Sequence, residues 1–523
     1  MKVMKKINNI ITSVCAALLL VSCNDFLDTM PDNRAEVNSA AKITSLLTSA
    51  YADNSFILMT EMASDNTKDN GVLYTPYNPE QENSYLWKAI TTTGNDSPKS
   101  VWDSNYGAIA AANQALQAIA DLGNPASLNA QKGEALICRA YAHFTLANVF
   151  CLPYNPTTAG SDLGLPYSEK PETQVKVAYQ RGTMADLYKK ISDDIDAGLP
   201  LINDELYSVP KYHFNKKAAY AFAARFNLFY LKFDKTIKYA NVVLGDNPQK
   251  ILRNWTSMST LASNWDVRTN AYISATEPAN LLIQTATSTW PYISAGVYSL
   301  GKRYGNAKAI FTTESVRAPG LWGAYSNLYL AAPAWGNDQK VSVPKFGGYF
   351  EYTDKVAKIG FLHSVATPFT TDEALLCRAE AYVLQATPDY DKATADINLW
   401  LSTHCKSITA KSKSDIVNYY SALPYMPLQI TSDTQRGIKK VLNPRGFTVA
   451  AGDQENMIQC ILHLRRIETM HEGLRWCDIK RYGIEIAHNR DGLSDDLLKV
   501  DDPRRAIQLP QDVISAGLTA NPR

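Results

Sequence analysis

The chain has 523 residues, enough for a large core or several domains, with 52 Lys and Arg balanced against 51 Asp and Glu. That balance excludes attraction to nucleic acid or to an anionic surface through a net field. Whatever binds here binds through local chemistry.

The chain opens on Lys2, Lys5 and Lys6, followed by an apolar run from Ile10 to Val21. Crossing roughly 30 Å of hydrocarbon takes about 20 apolar residues in a helix, so this run is too short to stay in a membrane. It reads as the core of a signal peptide covering residues 1–22. The segment Leu20-Val21-Ser22-Cys23 closes it and marks Cys23 as a lipid attachment site. The thiol would carry a diacylglycerol and the new amino terminus a further acyl chain, and several chains anchor firmly where one holds marginally. Asn24 follows Cys23 where an Asp would favour retention in the inner membrane, so the expected location is the outer membrane, lipid-anchored.

After a polar tether (24–38), apolar residues recur at helical spacing. Leu136, Ala140, Phe144 and Ala147 form one stripe, Ala219, Phe222, Phe226 and Phe229 a second, and Ala374, Cys377, Ala381 and Leu384 a third. Small Ala positions opposite aromatics allow close antiparallel pairing, which predicts a mainly α fold of tetratricopeptide-like helix pairs. The pattern stops near Gly245 and resumes near Thr370. One domain, 23–523, is therefore expected, with a helical scaffold at about 38–245 and 370–523 and a large irregular, loop-rich lobe at about 246–369. Two further irregular stretches are expected at 63–100 and 406–450. The six cysteines after Cys23 lack metal or redox spacing and read as small core residues.

Five of the nine tryptophans (Trp255, Trp265, Trp290, Trp322, Trp335) fall in the central lobe with Tyr292, and Trp87 sits in the earlier irregular stretch. Flat aromatic faces pack against the C–H faces of sugar rings, and their N–H or O–H groups add a polar handle. Trp87, Trp265, Trp290, Tyr292, Trp322 and Trp335 are thus the candidate ligand contacts, with Asp65 as a candidate partner for hydroxyls. Asn66, Lys68, Asn83, Asn264 and Asp266 in the same loops could also bind hydroxyls. Core filling is the competing role for each ring.

Catalytic signals are poor. His471-Glu472 begins like a zinc-protease helix, but Arg475 stands where the second His belongs. Glu468-x-x-His471 has di-iron spacing in a single copy where two are required. No phosphate loop, nucleophile elbow or cofactor motif occurs, so neither catalysis nor a cofactor or metal is expected.

The densest motif runs from Arg465 to Gly483: Arg465-Arg466-x-Glu468, Glu472-Gly473, Arg475-Trp476, Asp478 and Arg481-Tyr482-Gly483. Its alternating charges can knit helix ends together, with Glu468 and Glu472 on one helix face and Gly473 ending that helix. The motif resembles the C-terminal signature of the SusD/RagB family. Agreement extends to Asn24-Asp25-Phe26-Leu27-Asp28 after the lipid cysteine, to Gly133-Glu134 with Arg139-Ala140, to Glu373-Ala374-Leu375-Leu376 with Arg378-Ala379-Glu380-Ala381, and to Leu509-Pro510-Gln511. It departs at Leu464, His471, Leu474 and Cys477. The resemblance implies a helical scaffold of four tetratricopeptide-like pairs and a lipid-anchored surface protein. Such a protein binds nutrient and lids a SusC-type TonB-dependent transporter. The ligand implied is an oligosaccharide, or a peptide as in the RagB branch. Ligand residues are not part of the signature; the regions that supply them in the family correspond here to the stretch holding Trp87 and to the central lobe.

Overall fold

The computed structural model describes residues 37–172, 178–294 and 300–523. The signal segment and Cys23 lie outside the described residues.

Helices α1 (Ala40–Leu47), α2 (Ile57–Ala63) and α3 (Pro79–Tyr85), with the short strand β1 (Lys68–Asp69) between the last two, lead into the long α4 (Pro98–Asp121). Ser97 caps α4 by accepting from the Ser100 N–H, and Pro98 occupies its first position, where the missing N–H is not needed. Then come α5 (Asn129–Phe150), α6 (Met184–Gly198), α7 (Lys216–Phe229) and α8 (Phe233–Leu244). α5 packs on both α4 and α6, and α7 on α8. The α5–α6 contact depends on Gly133, where a Cβ would lie 2.9 Å from Leu201 Cβ and 3.0 Å from the Gly198 carbonyl oxygen. Inside, Phe144 meets Phe222, Phe226 and Phe229 at ring distances of 5.7, 5.6 and 5.5 Å.

The central lobe follows α8 and holds α9 (Trp255–Ser259), α10 (Trp265–Tyr272), α11 (Trp290–Ser294) and α12 (Lys308–Thr313). Its main sheet is antiparallel, in the order β2 (Asn280–Thr287), β7 (Ile359–Thr370), β6 (Gly348–Asp354). Small pairs join β1 to β3 (Tyr304–Gly305) and β4 (Trp335–Gly336) to β5 (Val341–Ser342). Strand β7 runs straight into α13 (Thr371–Leu384), which packs against α8. The scaffold therefore continues across the lobe as if the lobe were inserted between two neighbouring helices. α13 then packs on α14 (Tyr390–His404) and α16 (Asp453–Glu468), and α15 (Lys413–Ala422) on α16. The chain closes with α17 (Arg475–Arg481), the hairpin β8 (Ile486–Arg490) and β9 (Leu493–Leu498), and α18 (Gln511–Ser515).

One hydrophobic core spans both halves of the scaffold. A second, smaller one joins the lobe to α2 and α3 through Ile57, Leu58, Met62, Tyr85, Trp290, Ile293, Tyr304 and Phe346. The six described cysteines are all buried and unpaired. Among the described residues, no helix is long and apolar enough to cross a membrane.

Two local expectations need correction. Residues 406–450 contain α15, which buries only Ile416 and Tyr420 and is set by a Ser412–Asp415 capping box, too little apolar signal to show as a period. Helix α16 ends at Glu468, so Glu472 is not on its face. His471 (φ 70°) and Gly473 (φ 75°) make a left-handed turn instead, and a Cβ on Gly473 would sit 2.3 Å from Thr60 Oγ1.

Candidate functional site

The signature motif is a buried ion network. Arg465 Nε lies 3.1 Å from Asp478 and 3.6 Å from Glu380, and its Nη1 is 3.4 Å from Glu373. Arg481 bonds Glu380 and Asp478 at 2.8 and 2.9 Å. Arg475 grips Asp65 with two bonds of 2.8 Å, while Arg466 reaches Glu314 at 3.0 Å and the Asp65 carbonyl at 2.9 Å. Burial alone would raise the carboxyls of Asp65 and Glu314, but the surrounding cations prevail. Arg466 and Arg475 hold Asp65 well below the ordinary carboxylate range, and Lys440, Arg466 and Arg436 hold Glu314 at about 2. These pairs tie α13, α16, α17 and the segment after α2 into one block.

The candidate residues do not converge on one place. Asp65 belongs to this network and lines a pocket of about 150 Å³ with Glu314, Arg436 and Lys440. Trp87 is buried, donates from Nε1 to the Ala63 carbonyl at 2.9 Å and stacks on His488 at 4.1 Å. Trp290, 1% exposed, donates to the His471 carbonyl at 3.0 Å. Trp322 is buried against His463 and Trp400. These three rings turn their faces into the cores. Trp265 and Tyr292 are half-buried and meet the same segment of chain: Trp265 Nε1 donates to the Phe346 carbonyl at 3.3 Å, and a Cβ on Gly348 would lie 3.0 Å from the Tyr292 ring. Trp335 is 55% exposed.

An open cleft of about 570 Å³ is lined by Lys68, Asp69, Asn70, Gly71, the start of α12, Asp338, Gln339, Asp433, Asn489 and Asp491. It shares Asn489 with the pocket of Asp65. Its polar walls are fixed by their own bonds. Asn70 Nδ2 donates to the carbonyls of Lys302 and Gln339 at 2.8 and 2.9 Å. Asn489 donates to the Asp69 carbonyl at 2.9 Å, Arg303 pairs with Asp69 at 2.6 Å, and Lys68 with Asp433 at 2.6 Å. Asp338 is largely exposed at its wall, and Asp433 is half-buried and also paired with Arg436 at 2.7 Å. Beyond Gly71, Val72 and Leu73 project into solvent, Leu73 being 94% exposed, and Trp335 stands on the β4–β5 hairpin whose turn carries Asp338 and Gln339. Walls held this way present carboxylates, amides and ammonium groups to a ligand rich in hydroxyl or amide groups, with little reorganisation on binding. Of the lining residues, sequence reasoning singled out only Lys68. The others come from five separate segments and share no local pattern.

A family model for SusD-like proteins, described as "Starch-binding associating with outer membrane", matches residues 25–228. No curated protein matches the sequence. Solved structures share the fold. A SusD superfamily protein from Bacteroides thetaiotaomicron is 18% identical, covering 92% of this chain and 98% of its own, with a TM-score of 0.61. One from Bacteroides fragilis is 17% identical, with coverages of 92% and 99% and a TM-score of 0.63. A laminarin-binding SusD-like protein is 13% identical, with coverages of 92% and 98% and a TM-score of 0.52. The N-terminal part of the chain is thus similar to SusD-like proteins by its family model, and the fold across most of its length is that of SusD superfamily structures.

Proposed function

We propose that the protein is a cell-surface lipoprotein, held by lipid on Cys23, that binds oligosaccharide without catalysis and hands it to a SusC-type TonB-dependent outer-membrane transporter. The observation that carries this reading is the open, polar, pre-organised cleft, one wall of which comes from the hairpin that bears the exposed Trp335. Amide and carboxylate groups there can hydrogen-bond sugar hydroxyls, and Trp335 can cover the apolar face of a ring. The outer-membrane description of the matching family and the laminarin named for one structural neighbour support the ligand class and the location.

Calorimetry against laminarin and starch oligosaccharides tests the reading. Trp335→Ala and Asp433→Asn are expected to weaken binding by roughly 1 kcal/mol or more each, about fivefold, with little change in melting temperature. If both variants bind like the wild type, the cleft is not the site, and Trp265 and Tyr292 become the next rings to replace.

A peptide ligand is the second reading. It is favoured by one feature: among the residues lining the cleft none is aromatic, whereas backbone carbonyls and charged side chains are close at hand. Binding of mixed peptides with no binding of oligosaccharides would select it.

A further inference from the structure

Away from the cleft, three side chains able to ligate a metal meet inside the helical scaffold. Asp372 is the second residue of α13, His404 the last of α14 and Glu468 the last of α16. Each offers a ligand atom within 4.8 Å of the others, and their side chains are 0–4% exposed. His404 Nε2 lies 2.9 Å from Glu468 Oε2 and 3.9 Å from Asp372 Oδ1.

The other ring nitrogen decides what this contact needs. His404 Nδ1 is 2.9 Å from the Trp400 carbonyl oxygen, which can only accept, so Nδ1 carries a hydrogen and donates it. Thr403 Oγ1, 3.0 Å from the same nitrogen, shares that hydrogen while its own goes to the Trp400 carbonyl. In the neutral ring Nε2 then holds a lone pair, aimed at a carboxylate oxygen that is itself an acceptor. Two acceptors 2.9 Å apart in a dry interior require a cation between them. A proton would serve the Glu468 contact, but it would leave Asp372 as a second buried carboxylate 3.9 Å away on the same side of the ring.

We propose that Asp372, His404 and Glu468 form a site for a divalent transition metal, zinc by the chemistry of its donors. Bonds of about 2.0–2.1 Å to nitrogen and oxygen in a tetrahedron set ligand-to-ligand edges of roughly 3.3 Å, between the two distances seen from His404, and all three ligand atoms already lie within 4.8 Å of one another. The surrounding groups are those that orient metal ligands. The imidazole N–H is committed to a carbonyl, Trp400 Nε1 donates to Glu468 Oε2 at 3.0 Å, and the Arg253 N–H donates to Asp372 Oδ2 at 3.1 Å. The Trp400 ring stacks on His404 at 3.9 Å and fixes its plane. Lys345 donates to the Glu468 carbonyl and pairs with Glu472 at 3.0 Å, and the buried Arg253 guanidinium is the further cation that acts on Asp372 and Glu468. A metal here would pin the ends of three helices through three protein ligands, with the fourth position left to a water molecule.

The test is elemental analysis of the protein purified without chelator from zinc-supplied cells, followed by unfolding with chelator and refolding with and without zinc. The expected result is roughly one zinc per chain and a higher melting temperature after refolding with zinc. Asp372→Asn, which keeps an acceptor for the Arg253 N–H, and His404→Gln should each lower zinc affinity by roughly tenfold or more while remaining folded by circular dichroism. Metal-free protein whose melting temperature ignores zinc would overturn the site and leave a proton as the bridging cation. Zinc retained unchanged in both variants would also overturn it, by placing the ion elsewhere.

Discussion

Glu61 is a buried carboxyl with no cation beside it. It accepts from the Gly473 N–H and from Asn66 Nδ2, both at 3.1 Å, yet burial pushes it up to about 7. A carboxyl raised in the folded state favours the fold fully below its unfolded value near 4.5, and that contribution is lost as pH rises through about 7. The buried imidazoles of His143, His463 and His471, held at about 3 by burial, work in the opposite sense, losing stability as pH falls below about 6.5. Comparison with Glu61→Gln isolates the acid. The stability of the wild type relative to this variant should fall by about 3 kcal/mol between pH 4.5 and 8, measured by urea unfolding; a difference flat with pH would mean that Glu61 is charged throughout. The tryptophans carry a related lesson. Trp87, Trp290 and Trp322 were visible as aromatics in loop-rich sequence, but their depth was not. Trp87 and Trp322 join the core of the scaffold and Trp290 the smaller core between the lobe and α2 and α3, and the backbone carbonyls of Ala63 and His471 satisfy two of their indole N–H groups.

At the scale of elements, α17 is held to the segment after α2 by Arg475 and Asp65, far apart in sequence and buried together. Removing one partner leaves an uncompensated charge in a dry place, so Arg475→Met should lower unfolding free energy by about 3–5 kcal/mol. Asp65→Leu added to it should recover part of that loss, although Arg466 and Lys440 then lose a neighbour. Strictly additive losses in chemical denaturation would show that the two side chains are uncoupled. The helices themselves were legible because their stripes repeat: Phe222, Phe226 and Phe229 sit where the period puts them, and all are buried. What the period cannot carry is adjacency. That α8 packs on α13 across the whole lobe, or that Asp69, Asp433 and Asn489 share one cleft, follows from tertiary closure between segments that have no common pattern.

The whole molecule poses the question of how a bound ligand would leave the surface. Among the described residues no helix spans a membrane, and the proposed anchor at Cys23 holds the protein beside a bilayer without opening a path through it. A transporter is therefore the partner that the proposed function requires. The charge balance of 52 basic to 51 acidic residues gives no long-range field to hold such a partner, so a durable association must rest on a broad, largely uncharged contact. Salt screens exposed charges beyond roughly 8–10 Å at physiological strength and leaves apolar contact intact or stronger. The expected outcome is that the protein, extracted in mild detergent with an affinity tag at the C-terminus, brings down a TonB-dependent barrel at about the same yield in low salt and in roughly 1 M salt. A yield that collapses with salt would replace the broad contact by an electrostatic one. Recovery of this chain alone under both conditions would make it a free-standing surface binder, whose ligand must reach a transporter by diffusion.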